Sequence, residues 1–155
     1  MIQLKPRDLV AISANSQYYY ALLLDRIRLF GGNWTFVFHR TSPALLTPEE
    51  VLGGSRSGFH AFVDFIWAKR EGRATRLCRG IATEEFEGPG FVKQANAHRG
   101  KATLWFISDM AFKEVKRVEQ LSEAEKRYPL QSRIDDTLMV RDVDRAWTPE
   151  QDPRI

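Results

Sequence analysis

The segment from Tyr18 to Leu24 constrains the fold more than any other stretch, because it is nonpolar on both sides of the strand that it predicts. Side chains alternate between the two faces of a strand. One face therefore carries Tyr18, Tyr20, Leu22 and Leu24, and the other carries Tyr19, Ala21 and Leu23. A strand with two apolar faces is typically central in its sheet and covered on both sides. The rest of the chain must supply those covers.

Two further short β-rich runs flank this segment, Leu9 to Ser13 and Trp34 to Phe38. Turn-forming residues separate the three runs, in Ala14–Gln17 and in Gly31–Asn33, and the runs are too short for ordinary helices. The sequence therefore predicts an antiparallel meander of three strands within residues 4–40.

The middle of the chain predicts a short helix followed by a hairpin. Thr47, Pro48 and Glu50 match a capping box, and a Gly pair follows. Alternation returns from Phe59 to Trp67, so we expect a strand there, a hairpin connection over residues 68–74 and a partner strand over residues 75–81.

The last third predicts shorter elements. They are a surface loop over residues 82–100 with one short ordered piece, a strand over 102–108 and a bulged edge strand over 112–120. A short helix capped by Ser122 and ended by Pro129 follows, and then a helix from Asp135 or Asp136 to Trp147.

These elements predict one mainly β (α+β) domain spanning residues 1–155, a usual length for a single domain. We expect a small SH3-like antiparallel β-barrel or a strongly bent sheet, with short helices and a C-terminal helix. Local patterns do not encode strand order, so barrel closure stays open.

The chain shows no sign of a membrane or secreted protein. No apolar run approaches the roughly 20 residues of a spanning helix, and Met1 to Arg7 lacks the apolar core of a secretory signal. The single cysteine, Cys78, cannot form an internal disulfide. These features predict a cytoplasmic protein without membrane association.

Motifs for chemistry are scarce. The Gly pairs lack the Lys-Ser/Thr of a phosphate loop, and the three histidines are widely separated. His60 and Asp64 share a strand face, as they also would on the wet side of a half-buried sheet. We therefore predict a non-enzymatic protein with no catalytic residue, no metal site and no cofactor.

The strongest binding signal is a basic run from Lys69 to Arg79 beside Trp67, countered only by Glu71. Basic residues interleaved with an aromatic residue suit binding to a nucleic acid or an acidic partner. Charged hairpin tips and edge strands also prevent edge-to-edge association of sheets. The formal charge of +3 is modest. The candidate partner-binding residues are Tyr18, Tyr20, Trp34, Trp67, Lys69, Arg70, Arg73 and Arg76.

Two stretches resemble a known family. Residues 4–12 followed by residues 19–24, and a tail with residues 121–129 and an acidic-capped helix ending in Trp147, are similar to the Imm26-type immunity proteins of bacterial polymorphic toxin systems. Those proteins open with Gly-Asp where this chain has Arg7 and Asp8. The resemblance implies a cytoplasmic, non-enzymatic protein that binds and neutralises a cognate toxin. The alternative is a nucleic-acid-binding β-barrel that uses residues 69–79, and the oligomeric state stays open.

Overall fold

A computed structural model of the protein describes residues 1–27 and 31–155, so three positions of the predicted meander lie outside the described residues. The chain forms two compact units. Unit 1 comprises Met1–Glu87 and Arg133–Ala146, and unit 2 comprises Gly88–Ser132 and Trp147–Ile155. The single domain stays a prediction, and each unit is described by itself.

Nine strands and four short α-helices lie in the described part of the chain. The strands are β1 (Leu9–Ala14), β2 (Gln17–Ile27), β3 (Gly32–Ser42), β4 (Gly58–Asp64), β5 (Ala74–Cys78), β6 (Phe91–His98), β7 (Lys101–Asp109), β8 (Glu114–Val118) and β9 (Arg133–Asp135). The helices are α1 (Pro48–Leu52), α2 (Ile66–Arg70), α3 (Glu123–Lys126) and α4 (Asp136–Asp144). None of these helices is long and apolar enough to cross a membrane.

Unit 1 is built on a six-stranded sheet with the order β5-β1-β2-β3-β4-β9. All neighbouring pairs are antiparallel except β4 and β9, which are parallel. The meander and the mainly β class are confirmed. Barrel closure is not, because β5 and β9 form the two ends of the described sheet.

Both faces of β2 are buried, as its sequence predicts. Tyr20 and Leu22 join a core with Phe38, and α1 contributes Val51 to that core. Tyr19 lies on the opposite face, where its hydroxyl donates to Asp144 Oδ1 of α4 at 2.8 Å. Because burying one large apolar side chain contributes about 1.5–3 kcal/mol, the two covers together stabilise the centre of the sheet.

Two hairpins turn through pairs of residues with positive φ. Asn15 and Ser16 join β1 to β2 with φ of 52° and 60°, and Arg99 and Gly100 join β6 to β7 with φ of 51° and 81°. Two-residue loops with both φ values positive match the right-handed twist of paired strands. The first turn was predicted from sequence, whereas the second lies at the end of the predicted 82–100 loop.

The predicted strand over Phe59–Trp67 is wrong at its end. β4 stops at Asp64, whose Oδ1 accepts the backbone N–H of Ile66 at 2.9 Å and turns the chain into α2. The predicted hairpin is also wrong, because β5 pairs with β1 and not with β4. Only Gly72 behaves as expected within that connection, with φ of 69°.

Two further expectations need correction. The segment 82–100 is more ordered than expected, because it contains a 3-10 turn at Glu84–Phe86 and its residues 91–98 form β6. The last helix ends at Asp144 and not at Trp147, because Ala146 takes a left-handed φ of 50° directly after the helix cap.

Unit 2 contains the antiparallel sheet β6-β7-β8. The central strand β7 buries Trp105 and Ile107. β8 is the irregular edge strand that the sequence predicts, with a register shift against β7 between Ile107 and Ser108. Ser122 caps α3 through a complete capping box with Glu125, which is also as predicted.

Arg7 enters β1 with a φ of 70°, in the left-handed region. Its backbone N–H donates to Leu23 O at 2.7 Å. Its side chain donates to Ile81 O at 2.9 Å and to Gly80 O at 3.1 Å. The left-handed conformation disfavours any residue with a Cβ, so these bonds offset a local strain.

We expect Arg7→Ala to destabilise the protein more than Arg7→Gly. Both variants lose the guanidinium bonds, but only glycine relieves the positive φ, so Arg7→Gly should be more stable by about 1 kcal/mol. Urea unfolding measures both free energies. Equal stability of the two variants would contradict a left-handed Arg7.

Candidate partner-binding surface

α2 is a single fixed helical turn at the end of β4. Asp64 Oδ1 accepts the N–H of Ile66, the first residue of α2, and the Lys69 N–H donates to Phe65 O at 2.9 Å. Phe65 and Ala68 are buried and fasten the turn to unit 1. The remaining side chains of α2 therefore project from a rigid base.

Trp67 and Arg70 form an exposed aromatic and basic pair on this turn, which we call the α2 patch. Trp67 is 53% exposed, and the Arg70 guanidinium lies 5.3 Å from the Trp67 ring centroid. Residues three apart share a side of a helix, which explains the contact. A guanidinium at this distance is attracted to the indole face, so each side chain orders the other.

Arg73 and Arg76 belong to the same basic run, but internal partners hold both. Arg73 Nη1 lies 2.8 Å from Asp136 Oδ2, and Arg73 Nε lies 2.6 Å from Glu71 Oε2. Arg76 Nη1 donates to Gln3 O at 2.7 Å and lies 3.5 Å from Asp8 Oδ2. The Asp8 and Asp136 side chains are 3% and 2% exposed, so both arginines neutralise buried acids.

The aromatic candidates outside α2 lie mainly in the core. Tyr20 is fully buried, and its hydroxyl accepts the Leu46 N–H at 3.0 Å. Trp34 is 6% exposed and stacks on His60 with a centroid distance of 5.3 Å. Tyr18 is half-buried against the same core. Tyr20 and Trp34 thus present almost no surface to a partner in this conformation.

His60 and Asp64 serve separate structural roles. His60 Nε2 lies 2.6 Å from Phe86 O, and its ring packs edge-on against Phe36. Burial lowers the pKa of His60 and thereby favours the neutral ring. Asp64 holds α2 and lies 3.7 Å from Arg133 Nη1. Within residues 1–27 and 31–155, no three His, Cys, Asp or Glu side chains form a group that could hold a metal ion.

Unit 2 contains a buried amine that the sequence did not reveal. Lys93 is fully buried, and its Nζ donates to Lys126 O and, at 2.9 Å, to Pro149 O. The same Nζ lies 5.6 Å from the Trp105 ring centroid. Burial lowers the pKa of Lys93 to about 8, against the opposing effect of the Asp152 carboxylate. The ammonium thus joins two backbone segments at a cost in solvation.

Comparison with protein-family models found no match, and comparisons with curated proteins and with solved structures found none either. The geometry of the α2 patch is therefore the basis for the proposed function. Of the candidate residues, the structure exposes Trp67 and Arg70 together on α2, and it places a half-buried Lys69 on the same turn. It assigns internal contacts to Tyr20, Trp34, Arg73 and Arg76.

We expect Arg73→Met to destabilise the protein by about 3 kcal/mol, because it leaves the buried Asp136 carboxylate without its counter-charge. The matched variant Arg70→Met should cost less than about 1 kcal/mol, since Arg70 lies on the surface. Urea unfolding compares the two. Adding Asp136→Asn to Arg73→Met should recover part of the loss, and equal losses for the two single variants would contradict this division of the basic run.

Lys93 predicts a pH dependence of stability. Between about pH 8 and pH 10.5 the unfolded chain binds the Lys93 proton and the folded chain does not, so the Lys93 contribution to the unfolding free energy rises with pH. From pH 7 to pH 10, the wild type should gain about 2 kcal/mol relative to Lys93→Met. Urea unfolding at both pH values measures this difference. A constant difference between the two proteins would contradict a depressed pKa.

Proposed function

We propose that the protein is a non-enzymatic protein-binding domain, an immunity protein that binds and neutralises a cognate bacterial toxin. The observation that carries the proposal is the α2 patch. A tryptophan that is more than half exposed, ordered by an arginine on a rigid turn, has the composition of an interface anchor.

The patch also indicates the chemistry of the partner. Within the described residues, no carboxylate forms an ion pair with Arg70, although carboxylates hold Arg73 and Arg76. A suitable partner would place an acidic side chain next to Arg70, which would form an ion pair, and an apolar pocket around Trp67, which would bury the rest of the indole. Burial of the remaining indole surface supplies affinity, and the charge pair supplies orientation.

Arg7 adds support to the family resemblance. The immunity proteins that the chain resembles tend to open with Gly-Asp at the start of the first strand, and this chain has Arg7 in place of that glycine. The φ of Arg7 is 70°, a conformation that glycine adopts without strain. The backbone at this position thus fits the glycine of the similar proteins.

The proposal places the toxin contact on a basic surface. Many toxin domains are nucleases, whose basic active sites pair better with an acidic inhibitor. The α2 patch suits a toxin with an acidic surface, which the inhibitor covers or occludes. The nucleic-acid alternative draws less support, because internal bonds hold Arg73 and Arg76 and interrupt the basic stripe.

The test uses the protein encoded by the reading frame next to this one, purified as the partner in calorimetric titrations. We expect Trp67→Ala to weaken binding roughly 30-fold, the effect of losing about 2 kcal/mol at a hot spot. Arg70→Glu should weaken binding at least tenfold and abolish protection of cells that express the toxin. Lys69→Met is the matched control on the same turn and should bind within about threefold of the wild type.

A partner that fails to bind the wild type, or that binds Trp67→Ala unchanged, contradicts the proposal. Filter binding with single- and double-stranded DNA and RNA at two salt concentrations tests the alternative. Salt-sensitive binding of nucleic acid that Arg70→Glu abolishes would favour the alternative over the immunity function.

A further inference from the structure

A polar cleft lies beside α2, and neither Trp67 nor Arg70 of the patch lines it. Its volume is about 400 Å³, and among the described residues its charged lining side chains are Arg26, Lys69, Arg133 and Asp64. Ile66 and Lys69 are three residues apart and share the cleft side of the turn, as Trp67 and Arg70 share the patch side. We call this feature the α2 cleft.

The described lining of the cleft is electropositive, because it contains three cationic side chains and one carboxylate. Asp64 is 3.7 Å from Arg133 Nη1, and its other oxygen is occupied by the Ile66 N–H at 2.9 Å. No ion pair links Lys69 or Arg26 to an acidic side chain in the part of the chain that the structure describes. Lys69 is also half-buried, which limits its screening by water.

The geometry points to a phosphate dianion, free or as a small phosphate monoester, as the ligand of the α2 cleft. The charged lining carries a formal excess of about two positive charges, which a dianion would neutralise. Guanidinium groups match phosphate oxygens with paired N–H donors, and a lysine adds a point charge. The volume is in the usual range of small-molecule pockets and leaves space for an organic group beyond the phosphate. This inference rests on the cleft alone and does not require the proposed protein partner.

Two variants move the expected affinity in opposite directions. Lys69→Met removes a cation from the cleft and should weaken phosphate binding at least tenfold. Asp64→Asn removes the competing charge while its amide oxygen still accepts the Ile66 N–H, so it should tighten binding severalfold. Arg70→Gln removes one positive charge from the same helix outside the cleft and should leave the affinity within about twofold.

The experiment is an NMR titration of the full chain with inorganic phosphate and with glycerol phosphate, at constant ionic strength set by sodium chloride. We expect saturable shifts of the Ile66 and Lys69 amides with a Kd below about 1 mM. Tighter binding of the monoester than of inorganic phosphate identifies an organic phosphate as the ligand, and equal binding identifies the free ion. Thermal unfolding without ligand checks that each variant is folded.

Three outcomes would overturn the inference. The first is the absence of any saturable chemical-shift change up to about 10 mM of either probe. The second is a set of saturable shifts confined to residues outside the cleft, and the third is that Lys69→Met and Arg70→Gln weaken phosphate binding equally. The last would show a general electrostatic effect. Loss of toxin binding in Trp67→Ala with unchanged phosphate binding would separate the patch from the cleft, so each proposal fails independently of the other.

Discussion

Burial of the central strands on both faces is the constraint from which the rest of unit 1 follows. Tyr20 and Leu22 on one face and Tyr19 and Leu23 on the other are at most 2% exposed. Because neither face of the centre is open, the sheet offers no broad binding surface like that of a half-covered antiparallel sheet. In unit 1, side chains for a proposed partner are therefore better sought on the connections at the ends of strands, and α2 is such a connection.

Two buried carboxylates form ion pairs with two of the basic residues in the run and thereby hold those residues against the protein. Asp8 and Asp136 are removed from water, so each needs a nearby positive charge, and Arg76 and Arg73 supply it. Arg70 lies in the same run but has its guanidinium over an exposed ring. The sequence shows equivalent arginines, whereas the tertiary structure pairs Arg73 and Arg76 with buried acids and leaves Arg70 on the surface.

Local patterns predict the parts of the fold in which every local signal agrees. β1 to β3 combine apolar runs with turn residues, and Thr47 and Ser122 combine a capping residue with an acid three positions later. Local patterns predict the wrong secondary structure where a single tertiary or turn contact determines the backbone conformation. Apolar alternation continues from β4 into Trp67, but the bond from Ile66 to Asp64 starts a helix instead. β6 is half polar and mostly exposed, so its pairing with β7, not a local pattern, identifies it as a strand.

The candidate site shows the same division between local and tertiary information. Trp67 and Arg70 are close in sequence, so their proximity on α2 is readable once the turn is known. An aromatic residue carries no local mark of burial, however, so Trp34 and Tyr20 looked as suitable as Trp67 until the sheet placed them inside. Arg26 and Arg133 are distant in sequence, and only the fold brings both to the cleft of Lys69.

Asp64 connects the two sides of α2 without making them depend on each other. Its Oδ1 accepts the Ile66 N–H, whereas its Oδ2 faces Arg133. An anion at the proposed phosphate site would compete with Oδ2 for Arg133 and would leave the bond from the Ile66 N–H to Oδ1 in place. Phe65 and Ala68 hold the turn from the buried side as well. The contacts that hold α2 do not involve the cleft side chain of Lys69, so the two proposed sites would not depend on each other for the position of the turn.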